Sequence, residues 1–396
     1  MSKKIYLNSL GLINALGMDK ASIWANLLLA GKRFLSLDEK LIPNKKAFVG
    51  KVSQSLAEIP ESLQQFENRN NQLLLAAFKQ VEADYKKLAA DLNSSRIAII
   101  LGTSTGAMDD AELQLSQHLK GSGFDESYHF LNQEIGGGDE FLASYLGLQD
   151  SIHYTVSTAC SSSAKALVAA KYLIENDMAD LVIAGGADSL CKLTLNGFNA
   201  LESLSKSICK PFSDNRDGIN IGEGAALFLV SKQPAGVSLL GAGETSDAHH
   251  MSAPDPQATG AINAMQQALT QANLSAEQID YLNLHGTATI KNDEMEAKAV
   301  VNVFADSRPF VSSTKHLTGH MLGAAGASEI GFCWLALQNE SEGRLPLNQP
   351  DTGTEFSALN FVTQAPTKNV KISHCMSNSF AFGGNNISVI LSKETN

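Results

Sequence analysis

The most constraining feature of the sequence is the point near Cys160 where a strand pattern gives way to a helix pattern. Residues 152–156 are β-branched or aromatic, whereas residues 161–174 are rich in Ala, Ser, Leu and Lys. This change places Cys160 at a helix N-terminus, where unpaired N–H groups and the helix dipole favour a thiolate. We therefore expect a lowered thiol pKa and a nucleophile. The alternative is a buried, inert thiol, which is common for a lone cysteine.

Apolar segments on either side of Cys160 predict an α/β fold. Residues 97–101 and 181–184 are continuously apolar and end in glycine-containing loops, as buried central strands do. The order strand, helix, strand around Cys160 is that of a right-handed βαβ unit.

A similar arrangement follows in the second part of the chain. Ser-Thr precedes Lys315 and His320 much as it precedes Cys160, and a helix of small residues follows in both places. The layout predicts two similar halves, residues 1–231 and 232–396. We expect their small-residue helices to pack back to back, with the chemistry where the two turns meet.

Composition limits the classes of protein to which the chain can belong. Its 396 residues are 44% hydrophobic, enough for a large core, and the net charge of −11 argues against general nucleic-acid binding. No run approaches the ~18 apolar residues of a membrane span. The five cysteines are an odd number, and the N-terminus lacks the apolar core of a signal peptide. We expect reduced thiols and a cytoplasmic protein.

Three polar residues join Cys160 at predicted strand ends: His285, His320 and Lys315. Each alone has an ordinary structural interpretation. Together they suit a thiolate that attacks a thioester, imidazoles that stabilise an enolate and an ammonium that stabilises negative charge. Metal binding is the competing interpretation, but no C-x-x-C is present and His316 and His320 lack the acid of an H-E-x-x-H motif. We expect no metal.

A glycine turn near the C-terminus offers a further element of a site. Gly383 and Gly384 lie between two predicted strands, where the backbone can approach a ligand closely and an N–H group can bind an oxyanion. The alternative is a plain turn between strands.

These motifs together resemble the β-ketoacyl carrier-protein synthases, in the branch with a Cys-His-His triad. Residues 158–163 are similar to the nucleophile motif in the serine-rich form common in polyketide ketosynthases. Residues 285–289 and 315–326 resemble the two histidine motifs, and the likeness runs over residues 5–390. The resemblance implies a thiolase-like, five-layered αβαβα fold made of two similar halves.

The resemblance also implies a reaction. Cys160 would take an acyl group from an acyl carrier protein (ACP), with the oxyanion held by the backbone N–H groups of Cys160 and Phe382. His285 and His320 would support decarboxylation of malonyl-ACP and stabilise the enolate. The product is a 3-oxoacyl-ACP lengthened by two carbons, in fatty-acid, polyketide or polyene biosynthesis. Lys315 would tune the electrostatics of the site.

Further residues receive roles only through the resemblance. No cofactor is expected, because the 4'-phosphopantetheine arm arrives on the carrier protein. Either a homodimer or a heterodimer with a related ketosynthase or chain-length subunit is implied. The residues implied are Thr287, Thr289, Thr105, Phe380 and Phe382 for substrate binding; Arg69, Lys206 and Lys210 for carrier docking; Glu296 and Glu329 as buried acids; and Asn283, Glu329, Ser377 and Asn378 for a structural monovalent cation.

Two rival functions remain open at this level. A degradative thiolase would need a second catalytic cysteine, for which Cys375 is the candidate, although it is not in a Cys-x-Gly turn. A chain-length subunit that only shapes the pocket of a partner would lack the nucleophile, and Cys160 is present. Residues 121–138 and 191–209 differ from common fatty-acid members, so acyl length, saturation and pathway stay open.

Overall fold

The computed structural model describes residues 4–124, 128–339, 343–364 and 370–394. The N-terminal residues 1–3 and part of the unusual 121–138 segment therefore lie outside the described residues. The strands are β1 (Tyr6–Asn14), β2 (Ser36–Ile42), β3 (Lys45–Val49), β4 (Ile97–Gly102), β5 (Ile152–Val156), β6 (Leu181–Asp188), β7 (Gly224–Ser231), β8 (Val237–Ser246), β9 (Tyr281–Asn283), β10 (Phe310–Ser312), β11 (Asn360–Phe361), β12 (His374–Phe380) and β13 (Asn385–Lys393).

Helices separate most of these strands. They are α1 (Lys20–Leu27), α2 (Arg69–Lys79), α3 (Glu82–Ala89), α4 (Met108–Leu119), α5 (Gly137–Leu146), α6 (Ser162–Glu175), α7 (Lys192–Ala200), α8 (Thr259–Ala272), α9 (Ile290–Phe304), α10 (Lys315–Thr318) and α11 (Ala325–Gln338).

The strands repeat one topology in the two halves of the chain. In the first half the order is β5-β4-β6-β7-β1, and in the second it is β10-β9-β12-β13-β8, with β11 added at the edge. In each half, the first three strands in this order are parallel and the last two pairings are antiparallel. The halves meet edge to edge at Tyr6 and Ser238. The predicted boundary after residue 231 falls in the link between β7 and β8.

Two helices of small residues, α6 and α11, fill the space between the sheets. An added Cβ at Gly326 of α11 would lie 2.7 Å from the Cβ of Ala164 in α6, so only glycine allows this approach. The amide of Ala327 also donates to Ser163 Oγ at 2.8 Å. Both helices belong to one buried core with strands of both halves. The predicted back-to-back packing is confirmed.

Outer helices complete five layers. Leu73, Phe78 and Leu142 from α2 and α5 pack on one face of the first sheet. Met265 and Ala299 from α8 and α9 cover the second sheet. The central parallel strands β4 and β6 are buried along their whole length and are almost entirely apolar, whereas the edge strand β5 is only partly buried and carries polar residues.

Candidate active site

Four loops that follow strand ends build the candidate site. Cys160 follows β5, His285 follows β9, His320 follows α10 after β10, and Phe382 follows β12. The strands β5 and β10 hold the same place in their sheets, and each is followed by a helix of the central layer. The predicted correspondence between the Cys160 turn and the Lys315–His320 turn is therefore present in the fold.

A strained turn, residues 158–162, presents the nucleophile. Ala159 has a φ of 52°, a left-handed conformation that costs a non-glycine residue roughly 1–2 kcal/mol. Two serines hold this turn: Ser161 Oγ donates to Thr158 O at 2.8 Å and Ser162 Oγ donates to Ala159 O at 2.6 Å. The serine-rich motif thus fixes the backbone around Cys160, and α6 begins two residues after the thiol.

The thiol and two imidazoles converge in the interior. His320 Nε2 lies 2.9 Å from Cys160 Sγ, within hydrogen-bond distance. The rings of His285 and His320 stand edge to face, with centroids 5.4 Å apart. One ligand atom from each of the three residues falls within 4.8 Å of the others, so the set has the compactness of a metal site as well as of a catalytic triad.

Burial sets the charge state of these groups. It raises the pKa of Cys160 to about 11, although Lys315 and the amides of Phe382 and Cys160 act in the opposite direction. The expectation of a lowered thiol pKa was wrong, because Cys160 is buried and desolvation of a thiolate outweighs the helix terminus. Burial, and then the charge of Lys315, holds the pKa of His285 and His320 well below the usual histidine value. The resting site is a neutral thiol beside neutral imidazoles.

The two imidazoles retain a choice of tautomer. The Nδ1 atoms of His285 and His320 are buried and have no hydrogen-bond partner among the described residues. No partner therefore fixes the proton on Nδ1 or on Nε2. Each Nε2 can accept a proton in one step and donate a hydrogen bond in another.

Lys315 acts on the site from behind His285. Its ammonium is 1% exposed and donates to the carbonyl oxygen of His285 and to Glu329. Glu296 accepts from the amides of His285 at 2.8 Å and Gly286 at 2.7 Å. The peptide groups of the His285 loop are thus fixed by an ammonium on one side and a carboxylate on the other, which orients the imidazole.

The loop after β12 brings a backbone donor to the thiol. The backbone amide of Phe382 favours the thiolate and lowers the pKa of Cys160, although burial outweighs it. Gly383 and Gly384 have φ values of 84° and 80°, and a Cβ at Gly384 would lie 2.5 Å from the carbonyl oxygen of Asp247. The phenyl ring of Phe382 packs against that of Phe198 in a tilted arrangement, with ring centroids 5.5 Å apart.

A cavity of about 300 Å³ leads to these groups. Its lining includes Cys160, both histidines, Thr287, Thr289, Phe380 and Phe382. Thr105 is not part of this lining. Its amide and hydroxyl donate to Asp188 Oδ1 at 2.9 and 2.8 Å, so its side chain is committed to the fold in this chain.

The three candidate docking cations differ in their surroundings. Arg69 donates through Nε and Nη2 to the buried Glu223 at 2.8 and 2.5 Å. An internal carboxylate thus engages its guanidinium, and the role of Arg69 in carrier docking stays a prediction. Lys206 is exposed, and Lys210 Nζ lies 3.2 Å from Asp351 Oδ2 in a half-exposed pair.

Sequence reasoning missed Asp188. This buried carboxylate accepts from the amides of Ser104, Thr105 and Gly323 and from the hydroxyls of Thr103 and Thr105. It ties the loop after β4 to the backbone that follows His320. Its position at the end of the buried, glycine-containing strand β6 was the available signal, because a carboxylate there needs several donors to be tolerated.

Most of the side-chain oxygens implied for a monovalent cation are buried without a hydrogen bond to the described residues. Asn283 Oδ1, Glu329 Oε2 and Ser377 Oγ are buried without a hydrogen-bond partner in the described part of the chain. Asn283 and Ser377 are opposite each other on β9 and β12. Orphaned buried oxygens are costly, and a hard cation is a natural ligand for them. These three residues therefore fit such an ion, whereas Asn378, the fourth residue implied, already accepts a hydrogen bond from Ser388 Oγ at 2.8 Å.

Comparison with known proteins identifies the family. The family model described as "Beta-ketoacyl synthase, N-terminal domain" matches residues 3–235, and "Beta-ketoacyl synthase, C-terminal domain" matches residues 237–342. The chain is a β-ketoacyl synthase family member. A 3-oxoacyl-[acyl-carrier-protein] synthase 2 of Coxiella burnetii is 30% identical over 414 residues, covering 99% of both chains. A putative mitochondrial 3-oxoacyl-[acyl-carrier-protein] synthase of Schizosaccharomyces pombe is 32% identical, also covering 99% of both.

Solved structures of this family confirm the thiolase-like fold class. A chain from the complex of the ketosynthase ApeO with its chain length factor ApeC, from Xenorhabdus doucetiae, is 41% identical. It superposes with a TM-score of 0.91, covering 99% of this chain and 98% of that one. A chain of the ishigamide ketosynthase/chain length factor is 25% identical, with a TM-score of 0.88 and full coverage of both chains. No helix in the described ranges is long and apolar enough to cross a bilayer.

Proposed function

We propose that this β-ketoacyl synthase family member is an acyltransferase that condenses a Cys160-bound acyl group with the malonyl group of malonyl-ACP. Carbon dioxide leaves, and the product is a 3-oxoacyl-ACP two carbons longer. The 2.9 Å contact between His320 Nε2 and Cys160 Sγ, beside a second neutral imidazole, carries this proposal. It joins a thiol to the base that can take its proton and to a donor for an enolate.

Acylation uses the Cys160–His320 pair. As Sγ attacks the thioester carbonyl of acyl-ACP, the thiol proton passes to His320 Nε2, so a thiol with a pKa of about 11 reacts without prior ionisation. The amides of Cys160 and Phe382 donate to the oxyanion. The carbon–sulfur bond to the carrier then breaks, and the carrier thiol leaves with the proton from His320.

Condensation uses both imidazoles as donors. The malonyl thioester oxygen accepts hydrogen bonds from His285 and His320 as the bond to the carboxylate breaks and its electron pair forms the enolate. The enolate carbon attacks the acyl carbonyl on Cys160, the carbon–sulfur bond breaks, and the released thiolate takes up one proton from water to restore the resting thiol. Neutral imidazoles suit this step, because the depressed pKa of each keeps it uncharged and Nε2 can carry the donated proton.

Features outside the triad argue against a thiolase. The rival requires a second catalytic cysteine, yet Cys375 is fully buried in β12 and is not part of the cavity lining.

All five cysteines are free, which supports the expected reducing, cytoplasmic setting. The orphaned oxygens of Asn283, Glu329 and Ser377 support a bound monovalent cation that would brace β9, β12 and α11 beneath His285.

We also propose that the chain works as a dimer with a copy of itself or with a related ketosynthase or chain-length subunit. Helix α4 leaves Leu113, Leu115 and Leu119 at 55%, 53% and 76% exposure. Strand β5 lies at the edge of the sheet with Tyr154 39% exposed, and unpaired edges invite a second chain. The ketosynthase/chain length factor pairs among the similar structures support the heterodimer.

Intact-mass measurement after incubation with an acyl-ACP panel tests the proposed function. The wild type should gain one acyl group and, with malonyl-ACP, release a 3-oxoacyl-ACP, whereas Cys160→Ala should do neither while keeping its fold. Cys160→Gln, which imitates the acylated state in size and polarity, should still release carbon dioxide from malonyl-ACP. Acylation of Cys160→Ala would contradict the proposal.

A further inference from the structure

A row of polar side chains leads outward from the catalytic histidine along the cavity wall. His285 is 1% exposed, Thr287 is 7% exposed, Thr289 is half-buried and Lys291 is exposed. All four line the cavity, and they alternate along seven residues of chain. The wall therefore presents an imidazole at its buried end, hydroxyls along its length and an ammonium at its outer end.

This order of groups corresponds to the chemistry of the substrate arm in the proposed function, on which the inference rests. A phosphopantetheine thioester has its reactive carbonyl at one end, amides and hydroxyls along its length, and a phosphate at the other. With the carbonyl at Cys160 and His285, the phosphate stays at the exposed mouth. Of the groups in the row, the ammonium of Lys291 suits a phosphate best, because lysine binds phosphate as a point charge.

The other charged residues of the cavity lining are acidic, so a phosphate at the mouth depends on the ammonium of Lys291. Glu202, Asp217 and Asp247 line it and would repel a phosphate. Lys291 is the one Lys or Arg in the described cavity lining. Its side chain forms no ion pair or hydrogen bond with the residues that the structure describes. It is therefore available to a ligand.

The backbone around Lys291 adds to its attraction for an anion. Lys291 is the second residue of α9, a helix of fifteen residues whose positive end faces the cavity mouth. Asp293, the acid of this first turn, is fully buried and accepts from the amides of Phe212 at 2.8 Å and Ala288 at 3.2 Å. Its carboxylate is thus turned into the protein and leaves the outer end of the helix to the ammonium.

We infer that Lys291 binds the phosphate of the carrier-borne phosphopantetheine arm and thereby sets how deeply the thioester enters the cavity. It is a substrate-binding residue at the mouth and takes no part in bond making. Its contribution belongs to the arm and not to the surface of the carrier protein.

Two small thioesters that differ only in the phosphate test this inference without any carrier protein: acyl-4'-phosphopantetheine and acyl-pantetheine. Acylation of Cys160 in the wild type should show a KM about tenfold lower for the phosphorylated compound, the scale of one charged hydrogen bond. In Lys291→Gln this preference should vanish while the KM for acyl-pantetheine stays unchanged. In Lys291→Glu the unphosphorylated compound should be preferred.

Lys298→Gln is the matched control. This lysine lies seven residues further along α9, is not part of the cavity lining and donates to Gln257 Oε1 at 2.8 Å, so its phosphate preference should equal that of the wild type. An unchanged preference in Lys291→Gln would overturn the inference. So would loss of the preference only in His250→Gln, which alters another group of the cavity lining. Every variant should still be acylated by acyl-pantetheine. Failure of that reaction would count against the proposed function, whereas an altered phosphate preference bears only on Lys291.

Discussion

The two halves of the molecule share one strand order but supply different chemistry. In the first half, the turn after β5 presents Cys160 through the left-handed Ala159. The equivalent turn of the second half presents Lys315 and His320. Neither half holds a complete site, because the thiol and its base come from opposite halves and meet at 2.9 Å. The repeated fold is therefore a symmetric frame for an asymmetric reaction.

The loops that follow β4 in the first half and β9 in the second half show the same division. In the first half, Asp188 fixes the loop that contains Thr103 and Thr105 through several hydrogen bonds. In the second half, Glu296 fixes the equivalent loop at His285. Both carboxylates are fully buried, and burial raises the pKa of each, that of Glu296 to about 7. A buried carboxylate thus fixes both loops. The first loop holds Thr105 in the fold, whereas the second positions His285 for its proposed role in catalysis.

The largest expected effect separates the two histidines of the second half. His320→Ala should slow acylation by about 10²–10⁴-fold, because the base that contacts Cys160 is lost. His285→Ala should acylate at nearly the wild-type rate yet lose decarboxylation by a similar factor. Stopped-flow acylation and carbon dioxide release measure the two steps. Equal losses of both steps in both variants would contradict the division of roles.

A large stability effect is expected at the ion pair behind His285. Lys315→Met leaves Glu329 buried without its ammonium partner and should cost about 3–5 kcal/mol of unfolding free energy. The double variant Lys315→Met with Glu329→Gln should recover much of this loss but not the condensation rate, since the carbonyl of His285 remains unanchored. Urea unfolding provides the measurement, and a double variant no more stable than the single one would refute the pairing.

A medium effect should separate Lys206 from Arg69 in the first half. Lys206→Glu should raise the KM for acyl-ACP several-fold at low salt with little change in kcat, because an exposed charge steers an acidic carrier. Arg69→Glu places a second carboxylate beside the buried Glu223 and should lower stability instead. Lys210→Glu, already beside Asp351, should resemble Lys206→Glu. A KM effect in Arg69→Glu without loss of stability would reverse this assignment.

The smallest effect concerns acyl length. If Thr105 faces the acyl end of the pocket in the assembled dimer, Thr105→Phe should shorten the accepted chains, since overpacking costs roughly 1–3 kcal/mol. Thr105→Ser keeps the hydroxyl that donates to Asp188 and should leave the acyl-length profile as it is. Acylation profiles over a chain-length series compare the two. Identical profiles for wild type and Thr105→Phe would assign length control to another residue or to the partner subunit.

The sequence was sufficient to predict the repeated α/β frame and the meeting of Cys160, His285 and His320. The apolar strands, the two similar turns and the small-residue helices predicted the repeated α/β halves, because burial on both faces leaves a plain pattern. The raised pKa of the Cys160 thiol could not be predicted from the sequence pattern, since desolvation depends on which residues of the folded chain cover the thiol. The ion pair of Arg69 could not be predicted for a related reason: its partner, Glu223, lies far away in sequence. Asp188 likewise acts through contacts that only the fold brings together.

The rate of Cys160 acylation as a function of pH tests most directly whether the base of one half activates the thiol of the other. With acyl-pantetheine, the wild type should acylate at a constant rate between about pH 7 and 9, because His320 removes the proton from a thiol whose pKa is about 11. In His320→Ala the rate should be low at neutral pH and rise about tenfold per pH unit, as only the solvent-formed thiolate reacts. A wild-type rate that climbs in the same way, or a flat profile in His320→Ala, would contradict the account.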